Sequence, residues 1–212
     1  MIHFHIVTLF PESIEPYLSA SILGRAQEKK LIKVSFYNPR DYTDDKWQRV
    51  DRKPYGGGPG MVLSAEPFLR AVSAALKGRK GEIVFFSPSG EQFEQSAAKK
   101  LAQKKHIVFI AGHYEGVDAR VQKILKAKLV SVGPYVLTGG ELPAATMIDA
   151  IARNISGVLG KEESREDERV ASPEVYTRPE ILVWKKKKYK VPPVLLSGNH
   201  AKIEEWKKGV RG

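Results

Sequence analysis

Glycines mark one stretch of the sequence as a candidate ligand pocket. A short apolar run at residues 129–132 precedes a loop holding Gly133, Gly139 and Gly140, and a helical pattern follows. Strand, glycine loop and helix in this order build ligand pockets in α/β proteins, because glycine lets the backbone approach a ligand closely. The stretch matches neither GxGxxG nor GxxxxGK[ST]. It therefore predicts a pocket without naming its ligand, and a tight connection that binds nothing is the alternative.

The helix after this loop has one apolar face. Pro143 suits its first turn because the missing N–H would have no partner there, and Glu141 opposes the positive end of the helix dipole. The apolar positions with helical spacing are Ala144, Met147, Ile148, Ile151 and Ile155. Arg153 lies off this face, where it can either point into a pocket or pair with Asp149 one turn earlier.

Residues 38–60 mix basic and aromatic side chains and lack apolar periodicity. The aromatic residues are Tyr42, Trp47 and Tyr55, and the basic ones are Arg40, Lys46, Arg49, Arg52 and Lys53. A loop of this length inside a compact domain is usually functional or disordered. Aromatic rings stack on exposed bases and cations contact the backbone, so the segment predicts an RNA-binding surface. An ordinary solvated loop is the alternative.

Two charged runs occur near the carboxyl terminus. Residues 161–169 carry charge throughout and have no apolar face, which predicts a linker. Residues 185–190 contain five lysines and are a local candidate for phosphate contacts, each of which would add salt-dependent affinity. A solvated loop explains the lysines equally well.

The order of the predicted elements indicates an α/β protein with a mostly parallel sheet flanked by helices. Helices are predicted at residues 65–76, 91–103 and 119–126, with Ser64 and Asp118 as N-caps. A helical stretch over 13–24 should be broken near Pro16 and Gly24, and residues 191–196 should be extended. Three strands end in the glycine-bearing loops 87–90, 112–116 and 133–140. If those strands are neighbours, the loops converge on one pocket.

Composition narrows the class of protein. The chain has 212 residues, a formal net charge of +11 and no cysteine, which excludes disulfides and cysteine-based metal sites. A basic surface attracts polyanions such as nucleic acid. The sequence has no apolar run of membrane-spanning length, and its amino terminus is typical of a strand rather than a signal peptide. We expect a cytoplasmic protein.

Five ordered blocks resemble the bacterial tRNA (guanine-N1)-methyltransferases. They are LFPE at 9–12, RKPYGGGPGM at 52–61, GHYEGVDAR at 112–120, VGPYVLTGGELPA at 132–144, and YTRP with VLLSGNHAKIEEW between 176 and 206. The resemblance implies methyl transfer from S-adenosylmethionine to N1 of the guanine at tRNA position 37, just 3′ of the anticodon. It also implies a C-terminal trefoil knot in the α/β domain and a homodimer with composite active sites.

The resemblance divides the chain into three parts. Residues 1–160 would form the knotted cofactor-binding domain, 161–170 a flexible linker, and 171–212 a short, mainly helical segment that binds tRNA. That last segment looks reduced beside the longer C-terminal domain of the family. Some RNA contacts would then be missing or replaced by the lysines of 185–190.

The resemblance also assigns site residues. Cofactor-binding residues would be Ser87, Pro88, Gly112, Tyr114, Glu115, Val132, Gly133, Pro134, Tyr135, Val136, Leu137, Gly139, Gly140 and Pro143. Substrate-binding residues would be Gly58, Pro59, Gly60, Arg178, Asn199 and His200. His113 stands where the family usually has arginine, and Pro134 where it often has aspartate, which leaves the side-chain roles there open.

For catalysis the resemblance implies a general base and a cation. Asp167 matches the family's aspartate in an altered block, Glu166-Asp167-Glu168-Arg169, so Glu166 and Glu168 stay open as alternatives. Arg153 matches the family's arginine and would stabilise O6 or position Asp167. Magnesium would be a requirement of the reaction without a tight protein site, and no metal-ligand set is predicted.

Two other functions remain open at this point. A ribose 2′-O-methyltransferase of the same knotted superfamily would share the cofactor loops but lack the YGGGPGM and YTRP blocks. An RNA-binding protein without catalysis would fit the altered acidic block and the short carboxyl-terminal segment.

Overall fold

A computed structural model describes residues 1–159 and 174–209, and the chain forms two compact units, Met1–Leu159 and Gly160–Gly212. The first unit contains a five-stranded parallel sheet in the order β2-β1-β6-β5-β7. Its strands are β1 (Ile2–Val7), β2 (Ile32–Tyr37), β5 (Glu82–Gln92), β6 (His106–Ile110) and β7 (Lys128–Ser131). The predicted α/β class with a parallel sheet is confirmed.

Helices cover both faces of this sheet. They are α1 (Glu15–Leu18), α2 (Ser21–Glu28), α3 (Ala65–Leu76), α4 (Gln95–Leu101), α5 (Ala119–Leu125) and α6 (Glu141–Ala152). One core cluster joins α2, α4 and α6 to one face, with Phe4 and Phe109 at its centre. The other joins α3 and α5 to the opposite face through Phe68 and Val108. Burial on both faces explains the nearly continuous apolar runs of the central strands.

The three glycine-bearing loops leave the sheet at one edge. Strands β6, β5 and β7 are neighbours, as the pocket prediction required, and all run in the same direction. The three loops therefore meet at the carboxyl ends of these strands, which is where α/β sheets hold ligands.

The predicted turn and helix between residues 87 and 103 are partly wrong. The pairing of β5 with β7 is interrupted after Phe86 and resumes at Glu91. Because it resumes, strand β5 continues to Gln92. A Cβ atom on Gly90 would lie 2.5 Å from the Val130 backbone nitrogen, so only glycine lets the returning backbone pass this closely. Helix α4 begins later, at Gln95.

The helical stretch near the amino terminus is broken, but not where it was predicted. A 3₁₀ turn at Pro11–Ser13 leads into α1, and the break falls at Ser19 and Ala20, between α1 and α2. Pro16 is tolerated because it lies in the first turn of α1. Gly24 lies inside α2, where the backbone of Ser19 packs against it.

The two predicted N-caps behave differently. Asp118 caps α5 by accepting a hydrogen bond from the Arg120 backbone N–H at 2.9 Å. Ser64 occupies the N-cap position of α3 but its side chain makes no capping hydrogen bond. On α6 the predicted stripe is buried from Ala144 to Ile151, while Ile155 lies beyond the end of the helix.

Residues 38–60 are more ordered than a plain loop. They hold a 3₁₀ helix at Pro39–Tyr42 and strand β3 (Asp51–Arg52), which pairs with β4 (Val62–Leu63). Asp45 accepts hydrogen bonds from the Arg49 side chain and from the Trp47 backbone N–H. These contacts, led by the Arg49 guanidinium, lower the pKa of the Asp45 carboxyl to about 2. Trp47 itself stays largely exposed.

The second unit contains a hairpin as well as helices. Strands β8 (Ile181–Trp184) and β9 (Lys187–Lys190) pair antiparallel, with Lys185 and Lys186 in the turn at positive φ. Residues 193–196 form the short helix α7 (Pro193–Leu196), so the extended structure predicted there is wrong; proline fits the first turn of a helix. Helix α8 (His200–Gly209) follows.

The predicted linker at 161–170 falls within residues 160–173, which lie outside the described residues. None of the described helices has the length and apolar character needed to cross a bilayer.

Replacing Gly24 with alanine tests the packing at the α1–α2 junction. Alanine usually stabilises a helix interior relative to glycine, but a Cβ here would lie 2.3 Å from the Ser19 carbonyl oxygen. We expect Gly24→Ala to lower the free energy of unfolding by roughly 1–3 kcal/mol, as overpacking does. Urea denaturation followed by circular dichroism measures the change.

Gly209→Ala is the matched control, since a Cβ there meets no atom within 4 Å. Its unfolding transition should shift little. Equal stability of Gly24→Ala and the parent protein would contradict the packing argument.

Candidate functional site

A cleft opens at the carboxyl edge of β5, β6 and β7. It encloses about 630 Å³ of space free of protein atoms, part of it open to solvent. All three glycine-bearing loops contribute to its walls. Predicted cofactor residues that line it are Ser87, Pro88, Gly112, Tyr114, Val132, Gly133, Tyr135, Leu137, Gly139, Gly140 and Pro143. The structure therefore brings most of the predicted set together.

Three predicted cofactor residues lie outside this lining. Glu115 is exposed at the rim of the cleft, next to the lining residue Tyr114. Pro134 and Val136 are exposed, and Val136 keeps 82% of its surface accessible. Their neighbours Gly133, Tyr135 and Leu137 do face the cleft, so the loop alternates between the two environments.

The loop that begins α6 is fixed to the loop after β6 by backbone contacts. The Gly140 N–H donates to the Gly112 carbonyl oxygen at 2.9 Å, and His113 pairs with Gly139 in an isolated antiparallel bridge. A Cβ on Gly140 would lie 2.6 Å from the Ala111 α-carbon, a backbone atom that cannot turn away. Glycine is therefore required for these two loops to cross in contact.

A buried polar cluster lies beneath this crossing. Thr8 follows β1 and is fully buried, and its hydroxyl donates to Glu141 Oε1 at 2.5 Å. The same hydroxyl oxygen accepts from the Phe10 backbone N–H at 2.9 Å. Glu141 is only 4% exposed. Glu141 Oε2 approaches His113 Nδ1 to 3.1 Å, but without hydrogen-bond alignment, so this contact is a close polar approach rather than a bond.

The sequence pattern marks Glu141 only as a residue of a helix N-terminus, and it gives no sign of a role for Thr8. Thr8 sits in an apolar stretch with no motif of its own. The acidic residue directly after two glycines was the available signal, since a carboxylate at a buried helix start needs a donor.

The cleft has a nearly uncharged lining. Within the described part of the chain, His113 is its one titratable side chain besides Tyr114 and Tyr135, and no lysine, arginine or carboxylate is among its lining residues. Phosphate sites use cationic side chains or rows of helix N–H groups. An apolar wall with glycine backbone suits a ring system with hydrogen-bonding edges better than it suits a phosphate.

The glycine-rich segment around Gly60 lies at the rim of the cleft. The Glu115 N–H donates to the Met61 carbonyl oxygen at 3.1 Å, and Leu63 pairs with Val117 in a parallel bridge. A Cβ on Gly60 would lie 2.5 Å from Glu115 Oε1. Of the predicted substrate residues, Gly60 thus lies next to the loop after β6, and Gly58 and Pro59 immediately precede it in the chain. Gly58 and Gly60 have positive φ, which other residues adopt only with strain.

Arg153 lies at the C-cap of α6 and is exposed. It borders a groove on α6 that also includes Tyr17, Leu142 and Asp149. Asp149 accepts a hydrogen bond from the Tyr17 hydroxyl, which raises the pKa of Tyr17. The alternative pairing of Arg153 with Asp149 is not among the ion pairs of the described residues. Asp167, Glu166 and Glu168 lie outside those residues.

The remaining predicted substrate residues belong to the second unit. Arg178 lines a pocket with Tyr176, Glu180 and Leu195. Asn199 accepts a hydrogen bond from the Lys202 backbone N–H at 3.2 Å, so it caps the start of α8, and His200 is exposed in the first turn. The capping bond gives Asn199 a structural role that sequence analysis did not predict.

A family model described as tRNA (Guanine-1)-methyltransferase TrmD matches residues 2–211. The chain belongs to this family. The family has a knotted methyltransferase fold. The resemblance found in the five sequence blocks is confirmed.

Individual members of the family are closely similar over most of their length. Proteins named tRNA (guanine-N(1)-)-methyltransferase share 46% identity in Carboxydothermus hydrogenoformans and 48% in Staphylococcus epidermidis. These alignments cover 96% and 95% of this chain, and 80% and 82% of the two relatives. A Campylobacter jejuni protein of the same name is 44% identical over 96% of this chain and 89% of its own.

Thr8→Val tests the polar cluster beneath the cleft. Valine has nearly the shape of threonine but leaves Glu141 without its donor and the Phe10 N–H without its acceptor. Unsatisfied buried groups of this kind each cost about 1–3 kcal/mol. We expect the free energy of unfolding to fall by about 2–4 kcal/mol in a urea titration.

Thr8→Ser is the control because it keeps the hydroxyl and removes one methyl group. Its free energy of unfolding should fall by ~1 kcal/mol. If serine destabilised the protein as much as valine does, the methyl packing rather than the hydrogen bonds would account for the importance of Thr8.

Proposed function

We propose that this chain transfers the methyl group of S-adenosylmethionine to N1 of the guanine just 3′ of the anticodon in tRNA. The observation that carries this proposal is the arrangement of three of the family's sequence blocks around one cleft. The blocks at 112–120 and 132–144 form walls of the cleft, and the block at 52–61 lies at its rim, where the Glu115 N–H donates to the Met61 carbonyl oxygen.

The cleft fits the proposed methyl donor better than it fits a phosphate-bearing cofactor. An adenosyl group presents a flat ring with polar edges, for which Leu137, Pro143 and the glycine backbone offer apolar contact and peptide groups. The exposed carboxylate of Glu115 at the rim favours a ligand with positive charge, and the methyl donor carries a sulfonium and an ammonium group. The cofactor supplies the activated methyl group; the chain binds, orients and deprotonates.

Methylation of guanine N1 needs a base, because this nitrogen carries a proton at neutral pH. A positioned carboxylate that takes the proton typically contributes ~10²–10⁴ in rate. We assign this role to Asp167 on the family motif, with Glu166 and Glu168 as the alternatives. Negative charge then develops toward O6 of the guanine. Arg153, a cation at the exposed end of α6, would stabilise it or position the base.

Binding of tRNA is proposed for two surfaces. One is the segment of residues 38–60, where exposed Trp47 and Tyr55 offer rings for stacking beside the basic residues. The other is the β8–β9 hairpin, whose turn and second strand present lysines to solvent. The net charge of +11 favours association with a polyanion. Arg178 and His200 are further candidates on the second unit.

We further propose a homodimer in which Asp167 serves the partner's cofactor, and a cytoplasmic location, where tRNA and the methyl donor occur. Support comes from the family motif, and from the exposed groove on α6 that borders Arg153. Magnesium is proposed only as a requirement of the reaction. Among residues 1–159 and 174–209 the group with metal-ligand spacing consists of histidines, whereas magnesium prefers oxygen ligands.

Transfer of labelled methyl to two tRNA transcripts tests the reaction and its target. One transcript has guanine 3′ of the anticodon and the other has adenine there. We expect label in the first only, at N1 of the guanine after nuclease digestion.

The other outcomes favour the alternative functions. Label in both transcripts, located on ribose, would replace the proposal by a 2′-O-methyltransferase. Retained binding of the methyl donor and of tRNA without transfer would indicate a non-catalytic RNA-binding protein.

Asp167→Asn tests the assignment of the base. The amide keeps the shape of the side chain but cannot take the N1 proton, so we expect single-turnover methyl transfer to slow by ~10²–10⁴-fold. Affinity for the methyl donor, measured by calorimetry, should change little.

Glu166→Gln and Glu168→Gln are the matched controls in the same acidic block. Each should retain most of the transfer rate. A loss confined to one of them, with Asp167→Asn still active, would move the base to that glutamate.

A further inference from the structure

Three of the five histidines meet at the amino end of the sheet, away from the cleft. His3 on β1 is in register with His106 on β6, and His5 follows His3 by two positions, so all three side chains share one face. His5 is fully buried, whereas His3 and His106 are partly exposed. The cluster is therefore preformed by the sheet and reachable from solvent.

The ring nitrogens of this cluster are close enough to share one ion. One ligand nitrogen from each ring lies within 4.8 Å of the others. His5 Nε2 and His106 Nδ1 share a hydrogen bond at 3.1 Å, which an ion bound between them would replace. Two imidazole nitrogens bound to one tetrahedral zinc ion are about 3.3 Å apart, given Zn–N bonds of about 2.0–2.1 Å. The His5–His106 pair thus already has the spacing of two ligands.

Hydrogen bonds outside the cluster orient two of the rings. His3 Nε2 lies 2.8 Å from the Ser35 hydroxyl, and His5 Nδ1 lies 3.2 Å from the Tyr37 hydroxyl. Both hydroxyls come from the neighbouring strand β2. The Tyr37 hydroxyl occupies Nδ1 of His5 and leaves its Nε2 for the cluster. Metal-bound histidines are commonly held by such a bond from the second nitrogen.

Burial disfavours the charged form of the imidazoles in the cluster. Burial, with smaller effects from Lys33, Arg79 and the other histidines, lowers the pKa of His3 to about 4 and that of His5 to about 3. Burial also lowers the pKa of His106, with contributions from Arg79 and Lys105.

We propose that His3, His5 and His106 form a binding site for a divalent transition-metal ion of the zinc, nickel or copper type. Three neutral imidazoles suit such borderline ions and do not suit magnesium or calcium, which prefer oxygen ligands. The fourth position would be taken by water, because two of the three rings reach the surface. An ion held there joins β1 to β6.

The charges around the cluster limit its affinity. Lys33, Arg79 and Lys105 all lie near enough to act on the histidines, and no carboxylate is among the described groups that influence them. Repulsion from these cations weakens the binding of a dication. The site should accordingly exchange its metal rather than hold it permanently.

Zinc titration of the full-length chain without an affinity tag tests the site. The protein is first treated with a chelator, and zinc binding is measured by competition with a chromophoric chelator. We expect one ion per chain, and a melting temperature that rises by several degrees with excess zinc. Magnesium at the same concentration should leave that temperature unchanged.

Variants locate the ion. His3→Gln and His106→Gln change partly exposed positions and should each lower zinc affinity by at least about tenfold while the far-ultraviolet circular dichroism is retained. His200→Gln is the control, since it removes an exposed histidine of the second unit. Lys33→Gln removes a repelling charge from an exposed position and should raise zinc affinity about two- to fivefold.

Other results would overturn the proposal. Stoichiometric zinc binding that survives both His3→Gln and His106→Gln would place the ion elsewhere, as would its loss in His200→Gln. Absence of binding by the parent chain at zinc concentrations that saturate the competing chelator would show that the cluster is only a packed group of neutral histidines.

Discussion

The contact between the loop after β6 and the loop that begins α6 determines the rest of this site. It consists of a backbone hydrogen bond from Gly140 to Gly112 and a steric limit at Ala111 that only glycine satisfies. Because the two loops meet here, the third wall formed by residues 85–88 closes the cleft beside them. The buried carboxylate of Glu141 fixes the same crossing from below through Thr8. The two backbones can approach this closely because no side chain of Gly140 stands between them.

The uncharged cleft and the polar rim offer two different environments, one for the proposed cofactor and one for the proposed nucleobase. Inside the cleft, backbone groups and apolar side chains can recognise shape and hydrogen-bonding edges without attracting phosphate. At the rim, Glu115 and the glycine segment ending at Gly60 are tied together, so a cofactor and a nucleobase would meet at this junction. Positive φ values at Gly56, Gly57, Gly58 and Gly60 favour glycine there, so this part of the segment exposes backbone rather than side chains.

Local sequence patterns predicted most of the sheet and the convergence of its loops. Alternating strands and helices, with glycines after three strands, were sufficient because parallel topology brings carboxyl ends together. The patterns failed where contacts between distant residues determine the bounds of an element. Strand β5 continues past Ser87–Gly90 because β7 pairs with it. The break between α1 and α2 lies where Ser19 packs against Gly24. Thr8 and the histidines of β1 were missed for the same reason. Their partners are distant in sequence, and no motif marks them.

The hydrogen bond between Thr8 and Glu141 spans 133 positions in the sequence. Thr8 leaves the ribosome early in synthesis and Glu141 much later, so the cleft cannot close on a nascent chain until α6 has emerged. Long-range contacts of this kind slow folding, because loop closure must precede the gain from the contact. The chain therefore becomes able to bind a cofactor late in synthesis, when α6 has emerged and the cleft forms in one step. A chain truncated before α6 would keep several strands but lack both the crossing and the carboxylate that secures it.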